Sequence, residues 1–401
     1  MNSSENSTLV YTENQIVTNK SMLEVNATYC DFITFYVRYR SVHGYLSILV
    51  CVFGSIANIL NICVLSRREM RSPTNAILTG LAVADLLVMI EYIPFSCHVY
   101  FDPNARYTAS YFSYCWAIFM TFHALFAQVC HFISICLTVI LAVWRYIIIT
   151  TSQSNREWCN AYRTKLTIIL TYVLCPLVCL PLFVSLKITE QVKSINEVGR
   201  IIQQNELLNY TGEKYNATLY VLDYGHFKEI SFWVYGVVIK LVPCILLTIL
   251  SQRIIAALLE TKRRRRNLLG QNAMNLKLTT EMNPPKTLRH NKEQQTDRTT
   301  RMLLAVLFLF LITEFPQAML GLLSVSVGPD FERQCYNPLG DLMDILALTN
   351  SAINFILYCT MSRQFRTAFQ EAFRPKFLNR WMFTVQRSPE INFTETQVSH
   401  V

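Results

Sequence analysis

The sequence predicts an all-α membrane protein: a bundle of seven transmembrane helices, followed by an amphipathic eighth helix on the cytoplasmic face. Three observations carry that prediction. Of 401 residues, 52% are hydrophobic and only 16% charged, against about a quarter charged in soluble domains. The apolar residues fall in blocks of about 20 or more, long enough to cross a hydrocarbon layer of about 30 Å. Basic residues and N-glycosylation sequons alternate between connections, as they do when successive loops lie on opposite sides of a membrane. A cytosolic enzyme, a disulfide-stapled secreted domain and a disordered tail are thereby excluded. The net charge of +9 predicts no nucleic-acid partner. It is concentrated in a juxtamembrane block, Lys262-Arg263-Arg264-Arg265-Arg266, suited to anionic lipid.

Taken in order, residues 1–40 read as a polar extracellular tail without a signal-peptide core. Its sequons are Asn2, Asn6, Asn19 and Asn26. Seven spans follow within a core of residues 41–362: Val42–Leu65, Asn75–Tyr100, Cys115–Ile149, Thr164–Leu186, Ile230–Leu259, Thr299–Val325 and Leu339–Met361. Their length and Leu/Ile/Val/Phe content favour helices over barrel strands, which need only about ten residues. Arg67, Arg68 and Arg71, then Arg156, Arg163 and Lys165, then the 262–266 block, then Arg363, Arg366, Arg374 and Lys376 follow spans 1, 3, 5 and 7. Those ends are predicted to be cytoplasmic. Two further sequons, Asn209 and Asn216, lie after span 4, on the side shared with the tail. Both signals place the N-terminus outside, and the expected location is the plasma membrane. Residues 363–401 begin with Phe365, Phe369 and Phe373 at a four-residue spacing among arginines, the pattern of a helix lying in the inner leaflet. Cys30, Cys115 and Cys335 fall outside the membrane, where a bridge is chemically permitted; spacing does not fix the pairing.

Polar residues inside a membrane are costly and point to function. At about 1.5 Å per residue, Asn58, Asp85, Ser134 and Asn354 reach one depth near the midplane, with Asn350 and Ser351 a turn above. An ionised Asp85 there needs a cation or several donors. Two readings stand: a hydrated sodium pocket made by Asp85, Ser134, Asn350 and Ser351, or a neutral Asp85 in a structural network. Higher up, Glu91, Glu314, Asp341 and Asp344 predict an acidic outer cavity that attracts a cation. Lys240 is an alternative, buried partner for Glu314. Pro243 and Pro316 predict kinks in spans 5 and 6. His123 and His131, two turns apart on span 3, are expected to serve helix packing rather than a metal.

These residues resemble the rhodopsin-like G protein-coupled receptors across about Val42 to Phe373. The resemblance rests on Asn58, Leu81-Ala82-Val83-Ala84-Asp85, Trp144-Arg145-Tyr146, Pro243, Phe310 with Thr313-Glu314-Phe315-Pro316, and Asn350-Ser351 with Asn354-Phe355-Ile356-Leu357-Tyr358. Ile135, Pro243 and Phe310 match the family's connector triad. Trp144 stands where an acid usually holds the arginine, Glu314 where a tryptophan is usual, and Phe355 where a proline is usual. The loop 186–229 lacks the cysteine that usually bridges to span 3. Arg68-Glu69-Met70-Arg71-Ser72-Pro73-Thr74-Asn75, Trp144-Arg145-Tyr146, Thr313-Glu314-Phe315-Pro316-Gln317 and Asp341-Leu342-Met343-Asp344 are similar to the invertebrate myosuppressin receptors, relatives of the sex-peptide and FMRFamide receptor groups.

The resemblance implies an amidated peptide ligand ending in Arg-Phe-amide. It also implies a heterotrimeric G protein of the inhibitory class, with arrestin as a second cytoplasmic partner. Arg145, Tyr146, Ile135, Pro243, Phe310, Pro316, Asn354 and Tyr358 become the expected activation switches. The residue reading fits beside it. A peptide arginine suits Glu91, Glu314, Asp341 and Asp344, and a phenylalanine suits walls near Phe315, Tyr92 and Phe95. A transporter is the rival, together with a receptor for another class of peptide; no internal repeat favours transport. A retinal pigment needs a Schiff-base lysine, and Leu339–Met361 has none. No catalytic dyad is visible, so no enzyme activity is expected.

Overall fold

Apolar stretches too long to bury in a small core become long helices, since only internally bonded backbone survives in lipid. A computed structural model describes residues 30–150, 160–203, 210–225, 228–276, 304–305, 308–309, 311–324 and 326–373. Among them, six helices are long and apolar enough to span: Ile33–Leu65, Pro73–Tyr100, Tyr114–Thr150, Ala161–Ser185, Val234–Glu260 and Glu332–Thr360. The sixth span is helical over residues 311–324, and the rest of its predicted range is partly outside the described residues. They match predicted spans 1 to 5 and 7. The first helix starts at Ile33 rather than Val42, so residues 33–40 of the predicted tail are helical. Arg38 and Arg40 do not end it. A helix that has left the hydrocarbon can carry charges, and Arg40 finds partners.

Local sequence sets the ends. Ser72 caps the second span, its hydroxyl accepting from the Asn75 amide at 3.1 Å, with Pro73 in the first turn. Asn160 does the same for the fourth, accepting from Arg163 N at 2.8 Å. In the fifth span the turns over Val234–Leu241 widen to a π-helix just before Pro243. Proline lacks a donor and crowds the carbonyl four residues earlier, and a widened turn relieves that crowding. A second π segment, Glu332–Tyr336, precedes Pro338 in the same way.

Spans 1, 2, 3 and 7 pack around a core that includes Ile77, Leu81, Ile135, Leu137, Leu141, Met89 and Leu348. Gly44 permits the tightest approach, because a Cβ there would sit 2.5 Å from Tyr100 Cβ. The closing helix, Arg363–Phe373, buries Phe365 and Ala368. Phe355, in the place of the usual proline, contacts the Phe365 and Phe369 rings. Arg67 Nη1 donates to Ala368 O at 3.1 Å.

The connection after span 4 holds an antiparallel hairpin that span prediction had passed over. β1 (Leu186–Ile195) pairs with β2 (Tyr215–Tyr224), from Leu186↔Tyr224 to Ile195↔Tyr215. Its signal was present as alternating Leu186, Ile188 and Val192 against Lys187, Thr189, Gln191 and Lys193. Between the strands, Gly199 takes φ +81° with open space beside it. That turn meets the first loop: Ala109 N donates to Gly199 O at 2.9 Å, and Ile201 N to Tyr107 O at 2.7 Å. The disulfide joins Cys30 to Cys335. Cys115, one of the three candidates, is a free and exposed thiol. Its loop partner is replaced by that backbone seam, and the other two cysteines take each other.

Candidate functional site

Two buried polar centres and a ring of acids lie along the bundle axis. At the first centre, Ser134 Oγ donates to Asp85 Oδ1 at 2.8 Å and Asn354 Nδ2 donates to Oδ2 at 3.1 Å. Asn58 Nδ2 donates to Ser351 O at 3.1 Å and Gly54 O at 3.0 Å. The side chains that the helical rise placed at one depth thus meet. Asn350 lies half-buried one turn above Asn354. Asn58 Oδ1 is buried and accepts no hydrogen bond among the described residues. The donor set is all oxygen, the chemistry of hard cations. Among the described residues, no group of three or more His, Cys, Asp or Glu side chains could hold a metal, so any ion here rests on one carboxylate plus neutral oxygens.

The second centre stands where a tryptophan is usual. Glu314 is fully buried (0% exposed) and Lys240 nearly so (2%). Lys240 Nζ lies 2.8 Å from Glu314 Oε2, 2.7 Å from His131 Nε2 and 2.9 Å from Gln317 Oε1. Gln317 Nε2 donates to Tyr235 Oη at 2.8 Å. His131 Nε2 lies 3.1 Å from the same Glu314 Oε2, so an ammonium and an imidazole share one carboxylate oxygen. Lys240 is the fixed positive charge beside that carboxylate. The π-helix delivers Lys240 to this place, because the wider turns carry it to the inner side just before Pro243. Glu314 is therefore not an open ligand carboxylate: its Oε2 is met from within, while Oε1 is buried with no hydrogen-bond partner among the described residues. Phe315 is not a cavity wall either. It is 49% exposed, because one residue along a helix turns the side chain by about 100°, from Glu314's inner face to the outer one.

The remaining acids gather at the hairpin end, which the sequence assigns to the outside. His123 Nδ1 is 2.7 Å from Glu91 Oε1, and Phe95 stacks on the His123 ring at 3.7 Å. His123 and His131 each contact a carboxylate on a neighbouring span. Tyr92 is buried, bonds to His43 Nε2 across 3.2 Å and neighbours Asp344. Tyr100 Oη donates to Asp341 Oδ1 at 2.8 Å, and Arg40 Nη1 stands 3.7 Å from Asp341 Oδ2. Arg40 is a participant that sequence reasoning missed. Its signal was an arginine four residues after Tyr36, beyond the apolar block.

Of the expected switch residues, Ile135, Pro243 and Tyr358 are buried, and Arg145, Tyr146 and Pro316 are half-buried. Among the described residues Arg145 makes no salt bridge, and its Nε is buried without a partner. Trp144 Nε1 instead donates to Thr164 Oγ1 on span 4 at 3.2 Å. Phe310 lies outside the described residues, as do the sequons Asn2, Asn6, Asn19, Asn26 and Asn209; Asn216 is exposed on β2.

Residues 45–376 match the model of the family described as serpentine-type seven-transmembrane G protein-coupled receptor chemoreceptors, Srw. The G-protein coupled receptor dmsr-1 of Caenorhabditis elegans is 33% identical over 377 residues, covering 86% of this chain and 71% of its own. The sex peptide receptor of Drosophila melanogaster is 28% identical over 334 residues, covering 82% of this chain and 72% of its own. The FMRFamide receptor of Drosophila melanogaster is 22% identical over 338 residues, covering 84% of this chain and 54% of its own.

Proposed function

Since the chain belongs to the serpentine seven-transmembrane G protein-coupled receptor family, we propose that it is a plasma-membrane receptor for an amidated peptide ending in Arg-Phe-amide. The observation that carries this reading is the outer gathering of Glu91, Asp341 and Asp344 among Tyr92, Phe95 and Tyr100. Carboxylates set in aromatic walls suit a guanidinium beside a phenylalanine ring. Relatives named for a sex peptide and for FMRFamide support the class. Glu314 takes no part in the contact, because Lys240 already holds it.

Bound peptide favours the arrangement in which the cytoplasmic ends open to a heterotrimeric G protein of the inhibitory class, with arrestin as a later partner. The shift requires tighter peptide binding to the open arrangement than to the closed one. Lys240, His131, Glu314 and Gln317 tie spans 3, 5 and 6, so movement of span 6 must carry or break that tie. Arg145, unpaired with any carboxylate among the described residues, is the group that such movement exposes. Asp85 with Ser134, Asn350 and Ser351 would hold a sodium ion in the resting arrangement; the ion supplies positive charge to a buried carboxylate.

The test is G protein activation in cells expressing the full chain, exposed to Arg-Phe-amide peptides. Each peptide is also supplied as its free acid and with arginine changed to alanine. Activation by the intact amidated forms alone is the expected result. Equal activation by the alanine forms would remove the arginine assignment. Silence across the panel, with surface expression confirmed, would overturn the ligand class and leave other peptides to be screened.

A further inference from the structure

The Arg40–Asp341 contact is incomplete in a way that ordinary structural ion pairs are not. Charge-assisted N–H···O bonds close to about 2.7–2.9 Å, yet Arg40 Nη1 stops 3.7 Å from Asp341 Oδ2. The same nitrogen donates instead to Tyr36 Oη at 2.6 Å. Arg40 Nε and Asp341 Oδ2 are both buried and neither has a hydrogen-bond partner among the described residues. Leaving such atoms unpaired is costly, and here one donor and one acceptor are left so beside each other.

The surroundings are those of a guanidinium site. The Arg40 guanidinium carbon lies 5.0 Å from the Tyr100 ring centre and 5.5 Å from that of Tyr36, within cation–π range. Tyr100 Oη fixes Asp341 through Oδ1 at 2.8 Å, which leaves Oδ2 turned to the guanidinium. Two features hold the walls. The Cys30–Cys335 disulfide anchors the chain ahead of the first helix to the turn before Asp341. Gly44 lets the first helix press against Tyr100.

We propose that Asp341, Tyr100 and Tyr36 form a guanidinium-binding subsite, and that the free protein fills it loosely with its own Arg40. This deepens the peptide-receptor reading and rests on it for the identity of the natural guanidinium, a ligand arginine. The subsite itself is a property of the chain. A ligand arginine reaches Asp341 by displacing Arg40, so Arg40 sets a threshold that only a well-placed guanidinium crosses.

The test needs no receptor agonist. The full-length chain is purified as wild type, as Arg40→Ala and Arg40→Gln, and as each of these combined with Asp341→Asn. Thermal unfolding is followed with arginine amide or with citrulline amide, its neutral isostere, at millimolar concentration. Arginine amide is expected to raise the midpoint of Arg40→Ala and Arg40→Gln by a few degrees. Citrulline amide should leave both unmoved, and the wild type and the Asp341→Asn doubles should respond to neither. Arg40→Gln guards against collapse of the smaller substitution. The proposal is overturned if arginine amide stabilises neither single variant, if both amides act alike, or if the shift survives Asp341→Asn. Failure of this rescue with Arg-Phe-amide peptides still active would place the ligand arginine elsewhere. Rescue with inactive peptides would keep the subsite and remove the ligand class.

Discussion

Asp85 and Glu314 are two fully buried carboxylates on one bundle, satisfied in opposite ways. Among the described residues Asp85 is met by neutral donors: the Ser134 hydroxyl on one oxygen, the Asn354 amide on the other, and the Ser351 hydroxyl. Around Glu314 stand the Lys240 ammonium and the His131 imidazole, both against Oε2. Removing a charge from water costs several kcal/mol after relaxation, and a well-placed counter-charge repays much of it. Glu314 therefore carries its compensation in the chain. Asp85 is held by neutral donors alone, and a proton or a cation would complete its compensation. One centre is built to persist and the other to respond to what surrounds it.

That contrast can be broken most forcefully at Glu314. Lys240→Met strands a carboxylate and is expected to cost about 3–5 kcal/mol, read as a lowered unfolding midpoint and reduced surface expression. Adding Glu314→Gln to Lys240→Met should recover most of that loss; if it recovers none, the pair is not what Lys240 serves. Ser134→Ala removes one donor from Asp85 and should cost about 1–3 kcal/mol, detectable by thermal unfolding in choline chloride. Asp85→Asn should change stability less, by about 1 kcal/mol or below. Sodium chloride is expected to raise the wild-type midpoint over choline chloride and Asp85→Asn to abolish that rise; a sodium rise that outlasts the substitution would unseat Asp85. The smallest effect is expected for Phe315→Ala, within about 0.5 kcal/mol and without change in peptide potency, because the ring faces outward.

How far the sequence could be read depended on the kind of pattern involved. Helical rise alone brought Asn58, Asp85, Ser134 and Asn354 to one level, because depth is a one-dimensional quantity that counting residues supplies. Which way a side chain faces is a rotation, and counting from helix ends that are off by a few residues loses it. Phe315 was set in the cavity on that account. The π-turns before Pro243 shift the phase further, and they decide whether Lys240 meets Glu314. The acid–histidine pairs, Glu91 with His123 and Glu314 with His131, join different spans and have no local signal. The hairpin did have one, an alternation along β1 and a glycine turn, but charge and sequons in a connection carry no information on strand pairing. Cys30 and Cys335 lie 305 residues apart, a pairing that only the closed bundle reveals.

The seam between the first loop and the turn at Gly199 acts as a zip, whereas a sulfur bridge in its place would act as a rivet. Its teeth are single backbone hydrogen bonds, at Ala109 and Ile201, each worth about 0.5–1.5 kcal/mol net. Teeth that weak part and rejoin with no bond chemistry. A reducing medium, which would unfasten a sulfur rivet for good, leaves these teeth as they are.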